Sequence, residues 1–343
     1  MFTHISTVAV AVAVVVAVRG LCLRCFRRKH VPNKKEIPRI ILDTDIGDDI
    51  DDAMAVLLLL LLHAKGVVEV VAVITSGKGN HQNRARLVSA LARAVLVTVP
   101  ILAGRQSSGT SKCNYMTAYP DIHAEETFPV LGEEERAWLL NIIADEHGKG
   151  RKVTILCIGL LDNLEYIQPP ADSIILCLMG GCFGRFFDGK QAPPNFAEYN
   201  VFHSWMSWVR AVSTYTEVFI VPLDVAGLCR FPDWPNRLKE CPVAYQNMYA
   251  TWFSSPELRG SLIIKGTDEG KKSSIQFDPC ALFLCLHPEA AVVREMSVEV
   301  TDKGVTRESD EGHAVRVATE WKPEGLEQFK DWTLGVLGCC YRC

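Results

Sequence analysis

From residue 37 onward the chain alternates short apolar runs with amphipathic stretches. IPRIILD predicts a buried strand, and DDAMAVLLLLLLHAKG predicts a helix with carboxylates at its positive end and a stop at Gly66. VVEVVAVITSG predicts a second strand, NRARLVSALARAV a helix with Ala and Leu on one face, and VPILAG a third strand. After an irregular stretch at 106–129 come a helix, EEERAWLLNIIADEH, a strand, KVTILCIG, a short helix closed by prolines, NLEYIQPP, and a strand, SIILCLMGG. VFIVPLDVAG adds a strand, and SSIQFDPCALFLCL places Asp278 just ahead of an apolar helix. The alternating SVEVT and AVRVATEW around residues 301–320 predict a terminal hairpin on the outside of the domain. Such β-then-α repetition predicts an α/β fold: a single large open-sheet, Rossmann-like domain whose mostly parallel central sheet is flanked by helices. Its active site is expected at the carboxyl ends of the strands, where Asp45, Asn80, the Ile158-Gly159 turn and the Gly180-Gly181 loop all emerge.

Composition narrows the partners. With 343 residues, 48% of them hydrophobic, there is ample material for one sizeable core. No linker-like segment divides the chain after residue 37, so the expected organisation is an N-terminal segment at 1–36, one domain at 37–335 and a Cys-rich tail at 336–343. The net charge is −4 and the basic residues of the domain are scattered, which argues against nucleic acid and for a small-molecule ligand. Thirteen cysteines are an odd count, and Cys157, Cys177 and Cys285 sit inside apolar runs, the pattern of free thiols in a reducing compartment. At the N-terminus an uncharged apolar run at 7–18 is followed by Arg19, Arg24, Arg27, Arg28 and Lys29. Positive charge after the run reads as a membrane anchor with the domain in the cytosol, a transit peptide or tail being the alternative for a cytoplasmic or organellar protein. Cys22 and Cys25 would be acylation sites on such an anchor.

The chemistry concentrates where the first strand meets the leucine helix. Asp43, Asp45, Asp48, Asp49, Asp51 and Asp52 crowd into ten positions at the mouth of buried structure. Ionised carboxylates taken out of water cost several kcal/mol each unless positive charge compensates them, and a hard divalent cation is the natural candidate. An aspartyl-phosphate phosphatase also opens with a strand and D-x-D, but Ile46-Gly47 stands where it usually has Thr or Val. A prenyl-diphosphate enzyme would be nearly all helical. Calcium-assisted hydrolysis of an N-glycosidic bond is the third reading.

ILDTDIGDDIDDAMAVL resembles the N-terminal signature of the nucleoside hydrolase family, inosine-uridine-preferring type. VITSGKGN resembles the family's second strand and Gly-Asn loop, and VTILCIGLLDNL its T-G-P-L-T-N-L turn. LMGGCFG with AEYNV resembles the Met-Gly-Gly and Glu-Phe-Asn segments, and FDPCA the late His-Asp-Pro-Leu-Ala motif. The resemblance implies a calcium site made by Asp45, Asp52, Asp278 and the Ile158 carbonyl. Asp45 is then also the general base, and Asp51, Asn80, Glu198 and Asn200 are the ribose contacts. It further implies a nucleoside substrate cleaved to base and ribose, and a homo-oligomer.

The chain departs from the family pattern in three places. The acidic loop is two residues longer than D-P-G-x-D-D-A, so counting from Asp45 makes Asp49 the sugar-binding residue, whereas counting back from Ala53 makes it Asp51. Phe277 replaces a His that contacts the base and helps it leave; Phe can stack on a base but has no proton to give. His123 and Tyr115 are the substitute acids that the irregular stretch offers. The Gly-Asn expected before the Glu is missing from 182–194, with Asn195 as a weak stand-in for the 5′-hydroxyl contact. A relative that holds calcium and binds ribosides without cleaving them is the alternative function.

Overall fold

The computed structural model describes residues 36–105, 123–256 and 266–338. The first strand, β1 (Arg39–Thr44), runs into the acidic loop and then into helix α1 (Ile50–Ala64). Strand β2 (Glu69–Thr75), helix α2 (His81–Ala94) and strand β3 (Ile101–Leu102) follow. Helix α3 (Glu133–Gly148) leads to β4 (Val153–Cys157), α4 (Asp162–Ile167) and β5 (Ile174–Met179). Helices α5 (Tyr199–His203) and α6 (Trp205–Thr214) precede β6 (Val218–Val221) and α7 (Leu223–Ala226). The chain ends through α8 (Trp234–Leu238), α9 (Val243–Phe253), α10 (Phe277–Leu286), β7 (Ala291–Val300), β8 (Thr306–Glu308), β9 (His313–Trp321) and α11 (Gly325–Gly338).

The nine strands of the described residues form one sheet in the order β3-β2-β1-β4-β5-β6-β9-β7-β8, parallel from β3 through β9 and antiparallel beyond. This is the α/β open sheet that the alternating pattern predicts. The chain winds outward from β1 to β3, then returns to place β4 against the other side of β1. That reversal makes the carboxyl ends of β1 and β4 the switch point, where such sheets bind ligands. Asp45 and Ile158 are the first residues past those two ends.

The terminal hairpin requires correction. β9 pairs in parallel with β6, Phe219 opposite Arg316 and Ile220 opposite Val317, so the hairpin extends the main sheet instead of lying outside it. The reason is visible in the residues: Val315, Val317 and Ala318 are buried, and β6 would otherwise end the sheet as an unpaired edge. The third strand is only two residues long, and Asp278 lies within the first turn of α10 instead of ahead of it.

Residues that alternate along the strands feed two cores. Ile40 and Leu42 face one, with α1, while Ile41 faces the other, with α3 and α6. α1 is apolar all round because it is enclosed by α2, α9, α10, α11 and β2, and every residue from Ile50 to Leu62 is buried. Cys157, Cys177 and Cys285 are free thiols, the first two buried and the third half-buried. Among the described residues no helix is long and apolar enough to cross a membrane; the anchor expected at the N-terminus lies outside the described residues.

Because α1 is enclosed, Leu58→Ala is expected to cost about 2–5 kcal/mol, the range for buried Leu truncations. Urea unfolding measures it, and a loss below about 1 kcal/mol would contradict the packing described.

Candidate active site

Asp49 begins α1: its backbone is extended and its carboxylate accepts the Ile50 N–H at 2.7 Å. Asp51 and Asp52 then fall in the first turn, at the positive end of the helix. Thr44 Oγ1 donates to Asp52 Oδ1 at 2.6 Å and accepts the Ile46 N–H, tying the end of β1 to the helix start. Far along the chain, α10 brings in Asp278, whose backbone N–H donates to Asp51 Oδ2 at 3.2 Å. Oxygens of Asp51, Asp52 and Asp278 lie within 4.8 Å of one another, and all three residues are buried.

Two glycines let the neighbouring loops close on Asp45. A Cβ at Gly159 would stand 2.7 Å from Asp45 Oδ1 and 2.6 Å from Ser76 Oγ. One at Gly77, where φ is +86°, would meet Asp45 Cβ at 2.7 Å. Hence the turns after β2 and β4 reach the aspartate only as glycine. From the other side Asn200 donates through Nδ2 to the Ile158 carbonyl at 3.1 Å and to the Met179 carbonyl at 3.3 Å. Glu198 caps α5, accepting the N–H groups of Asn200, Val201 and Gly181.

Arg84 went unnoticed in the sequence. Its side chain is fully buried and donates to the carbonyls of Asp45, Ile46 (2.8 Å) and Lys78 (2.7 Å) and to Asp48 Oδ1 (2.9 Å). It braces the acidic loop, the part with two extra residues, and supplies one fixed positive charge. The signal was present: Arg84 shares a helical face with Leu87, Val88 and Leu91, where a charge is out of place.

Together these elements line a cavity of about 400 Å³, of the size that holds a small ligand. Seven carboxylates face it: Asp45, Asp48, Asp49, Asp51, Asp52, Glu198 and Asp278. Ile158 and Asn200 line it too, as do the aromatic rings of Phe187, Phe196 and Phe277. Phe277 packs on Phe187 with ring centroids 5.6 Å apart. Asn80 is not brought to the cavity: it is exposed and caps α2, accepting the Asn83 N–H. His123 is exposed beside Glu125, Asn195 is exposed in a left-handed turn, and Tyr115 lies outside the described residues.

Burial dominates the electrostatics. It pushes Asp51, Asp52 and Asp278 well above the usual carboxylate range, and neighbouring carboxylates raise each further: Asp49 and Asp45 for Asp51, Asp45 and Asp51 for Asp52, and Asp51 and Asp52 for Asp278. Asp45 is raised by burial against the pull of Arg84. Asp43 and Glu198 are both pushed up to about 7, again by burial, although hydrogen bonds oppose it. Such a cluster has far less counter-charge than acid, Arg84 being its one ion-pair partner among the described residues, and has the all-oxygen donor set that suits a hard divalent cation.

A family profile described as inosine-uridine preferring nucleoside hydrolase matches residues 40–328. The chain belongs to that family. Nucleoside hydrolases act on N-glycosyl bonds, and this chain is a hydrolase of that class. Its fold is similar to that of an inosine-uridine preferring nucleoside hydrolase from Bacillus anthracis, with a TM-score of 0.64 at 15% identity over 88% of this chain and 100% of that one. It is equally similar to an inosine-guanosine nucleoside hydrolase, with a TM-score of 0.64 at 15% identity over 88% and 99%. The type III effector protein XopQ, solved in complex with adenosine diphosphate ribose, gives a TM-score of 0.63 at 14% identity over 95% and 98%. No curated protein matches the sequence significantly.

The raised carboxyls make stability depend on pH when no cation is bound. Asp43 and Glu198 keep their protons in the folded state at a pH where the unfolded chain has lost them. Their contribution is therefore complete below about pH 4 and is lost as pH rises through about 7. His81, pushed down to about 4 by burial and by Arg84, acts the opposite way, favouring the folded state fully only above about pH 6.5. Between pH 6.5 and 8.5 the carboxyls therefore decide the sign. In chelator the melting temperature is expected to fall across that interval, and excess divalent cation is expected to flatten the fall. A melting temperature that does not change with pH in chelator would contradict this electrostatic picture.

Proposed function

We propose that the protein is a calcium-dependent ribonucleoside hydrolase that cleaves the N-glycosidic bond to free base and ribose. The observation that carries the reading is the gathering of seven acidic side chains, Ile158 and Asn200 around one cavity at the β1/β4 switch point. Asp45, Asp52, Asp278 and the Ile158 carbonyl would hold calcium, with Asp51 close enough to share it. Bound there, the ion would lower the pKa of a water molecule and neutralise part of the acidic cluster.

Asp45 serves as general base, taking a proton from the attacking water. The Gly77 and Gly159 turns and the Arg84 bond to its carbonyl fix its position. Asp51, Glu198 and Asn200 bind the ribose hydroxyls, and Asp49, although it caps α1, also faces the sugar. Their negative charge favours the positive charge that develops on the ring as the bond breaks. Phe277 and Phe187 offer the base an apolar stacking wall. Among the described lining residues there is no Lys, Arg or His to meet a diphosphate, which favours an unphosphorylated riboside over a ligand such as the one in the XopQ complex.

The test is release of reducing sugar from a nucleoside panel with and without chelator. Activity is expected only with calcium, and a fully active metal-free enzyme would overturn the calcium part of the reading. Asp45→Asn is expected to lower kcat by at least about 10²-fold while changing KM little, because an amide cannot accept the proton. Near-normal kcat in that variant would remove Asp45 from the role of base.

A further inference from the structure

We infer that the cavity favours ribosides whose base carries a formal positive charge, such as pyridinium ribosides. This rests on the ribohydrolase reading above and names its substrate class. Two features of the walls carry it. The side where Phe277 stands is aromatic: Phe187 lies 5.6 Å from Phe277 and 5.3 Å from Phe186, and Phe196 lies 5.5 Å from Phe186, centroid to centroid. Aromatic faces attract cations. Seven acidic side chains line the same cavity, and the two charges of calcium with the one of Arg84 are fewer than half their number. A cleft lined by one sign of charge concentrates ligands of the other.

The bond-breaking step points the same way. A neutral purine or uracil departs with negative charge on its ring nitrogen unless a proton is delivered, and Phe277 has none to give. Negative charge building up beside these carboxylates is repelled. A pyridinium base avoids the difficulty. The electron pair of the C1′–N bond returns to the ring nitrogen and cancels its charge, so the base leaves neutral. The water oxygen bonds to C1′, one water proton passes to Asp45 and then to solvent, and the ribosyl group becomes ribose. One riboside cation and one water yield ribose, neutral base and one proton, with no co-reactant. Throughout, the positive charge only moves from the base to the sugar, within reach of the same carboxylates.

The experiment uses the full chain with calcium and compares nicotinamide riboside, a pyridinium riboside, with inosine and uridine. The expected result is a kcat/KM for nicotinamide riboside at least about 10²-fold above that for inosine, the scale of a missing general acid, with Phe277→His narrowing the ratio. Inosine cleaved as efficiently as nicotinamide riboside would overturn the inference. A second arm isolates charge from reactivity in the Asp45→Asn variant, by calorimetric titration with nicotinamide riboside and with its neutral carbon-linked isostere, 3-ribofuranosylbenzamide. Tighter binding of the cation by about tenfold or more is expected, and equal affinity would overturn the inference. If no riboside is cleaved by the wild-type protein, the ribohydrolase reading fails on its own, and the binding comparison alone decides the preference for charge.

Discussion

Mutual repulsion among buried carboxylates is the constraint around which this protein is organised. Seven acidic side chains line one cavity, and burial raises the proton affinity of all of them, hydrogen-bonded or not. The fold relieves the repulsion locally wherever it can. Asp49 is spent on the α1 cap, Asp48 on Arg84, Asp52 takes the Thr44 hydroxyl, and Glu198 gathers three backbone N–H groups. The group formed by Asp51, Asp52 and Asp278 has hydrogen bonds but no ion pair among the described residues, and that is what makes a cation welcome there.

How these residues come together was partly legible in the chain itself. The unbroken leucine run at 57–62 in α1 said that the helix would be enclosed, and alternation of strand and helix said that the sheet would be mostly parallel with its ligand at the carboxyl ends. The acidic cluster could be assigned to the first such end, and Asp278 reached the same place through a motif of its own. Periodicity could not show the fate of β9, because a strand with one buried face looks alike as an outer hairpin or as the next member of a sheet. Nor could it separate a ligand-facing Asn80 from a capping one, since the same side chain suits both positions. The aromatic wall was only partly visible: Phe277 could be read as a stacking residue, but Phe187 and Phe196 lie in an irregular segment with no periodicity, some eighty to ninety positions away from it.

Arg84 shows how a longer loop is accommodated. The stretch between Asp45 and α1 is two residues longer than the family spelling, and extra residues in an acidic loop invite disorder. One guanidinium, with its fixed fork of donors, holds three carbonyls and a carboxylate at once. The extra length is thus absorbed between β1 and α1 while both ends keep their place on the sheet.

The chain order of the site also governs when it can exist. Asp45 to Asp52 lie near the beginning of the domain, Glu198 and Asn200 in its middle, and Asp278 close to its end, while β6 keeps an open edge until β9 pairs with it. During synthesis the acidic loop therefore emerges long before its distant partner, and the nascent chain carries unmatched negative charge beside an apolar helix that cannot yet be covered by α10 or α11. Contacts of such long sequence separation form late and slowly. Completion of the acidic cluster and closure of the sheet thus wait for the last segments to arrive, so a chain cut short before α10 keeps most of its strands but lacks the Asp51–Asp52–Asp278 group.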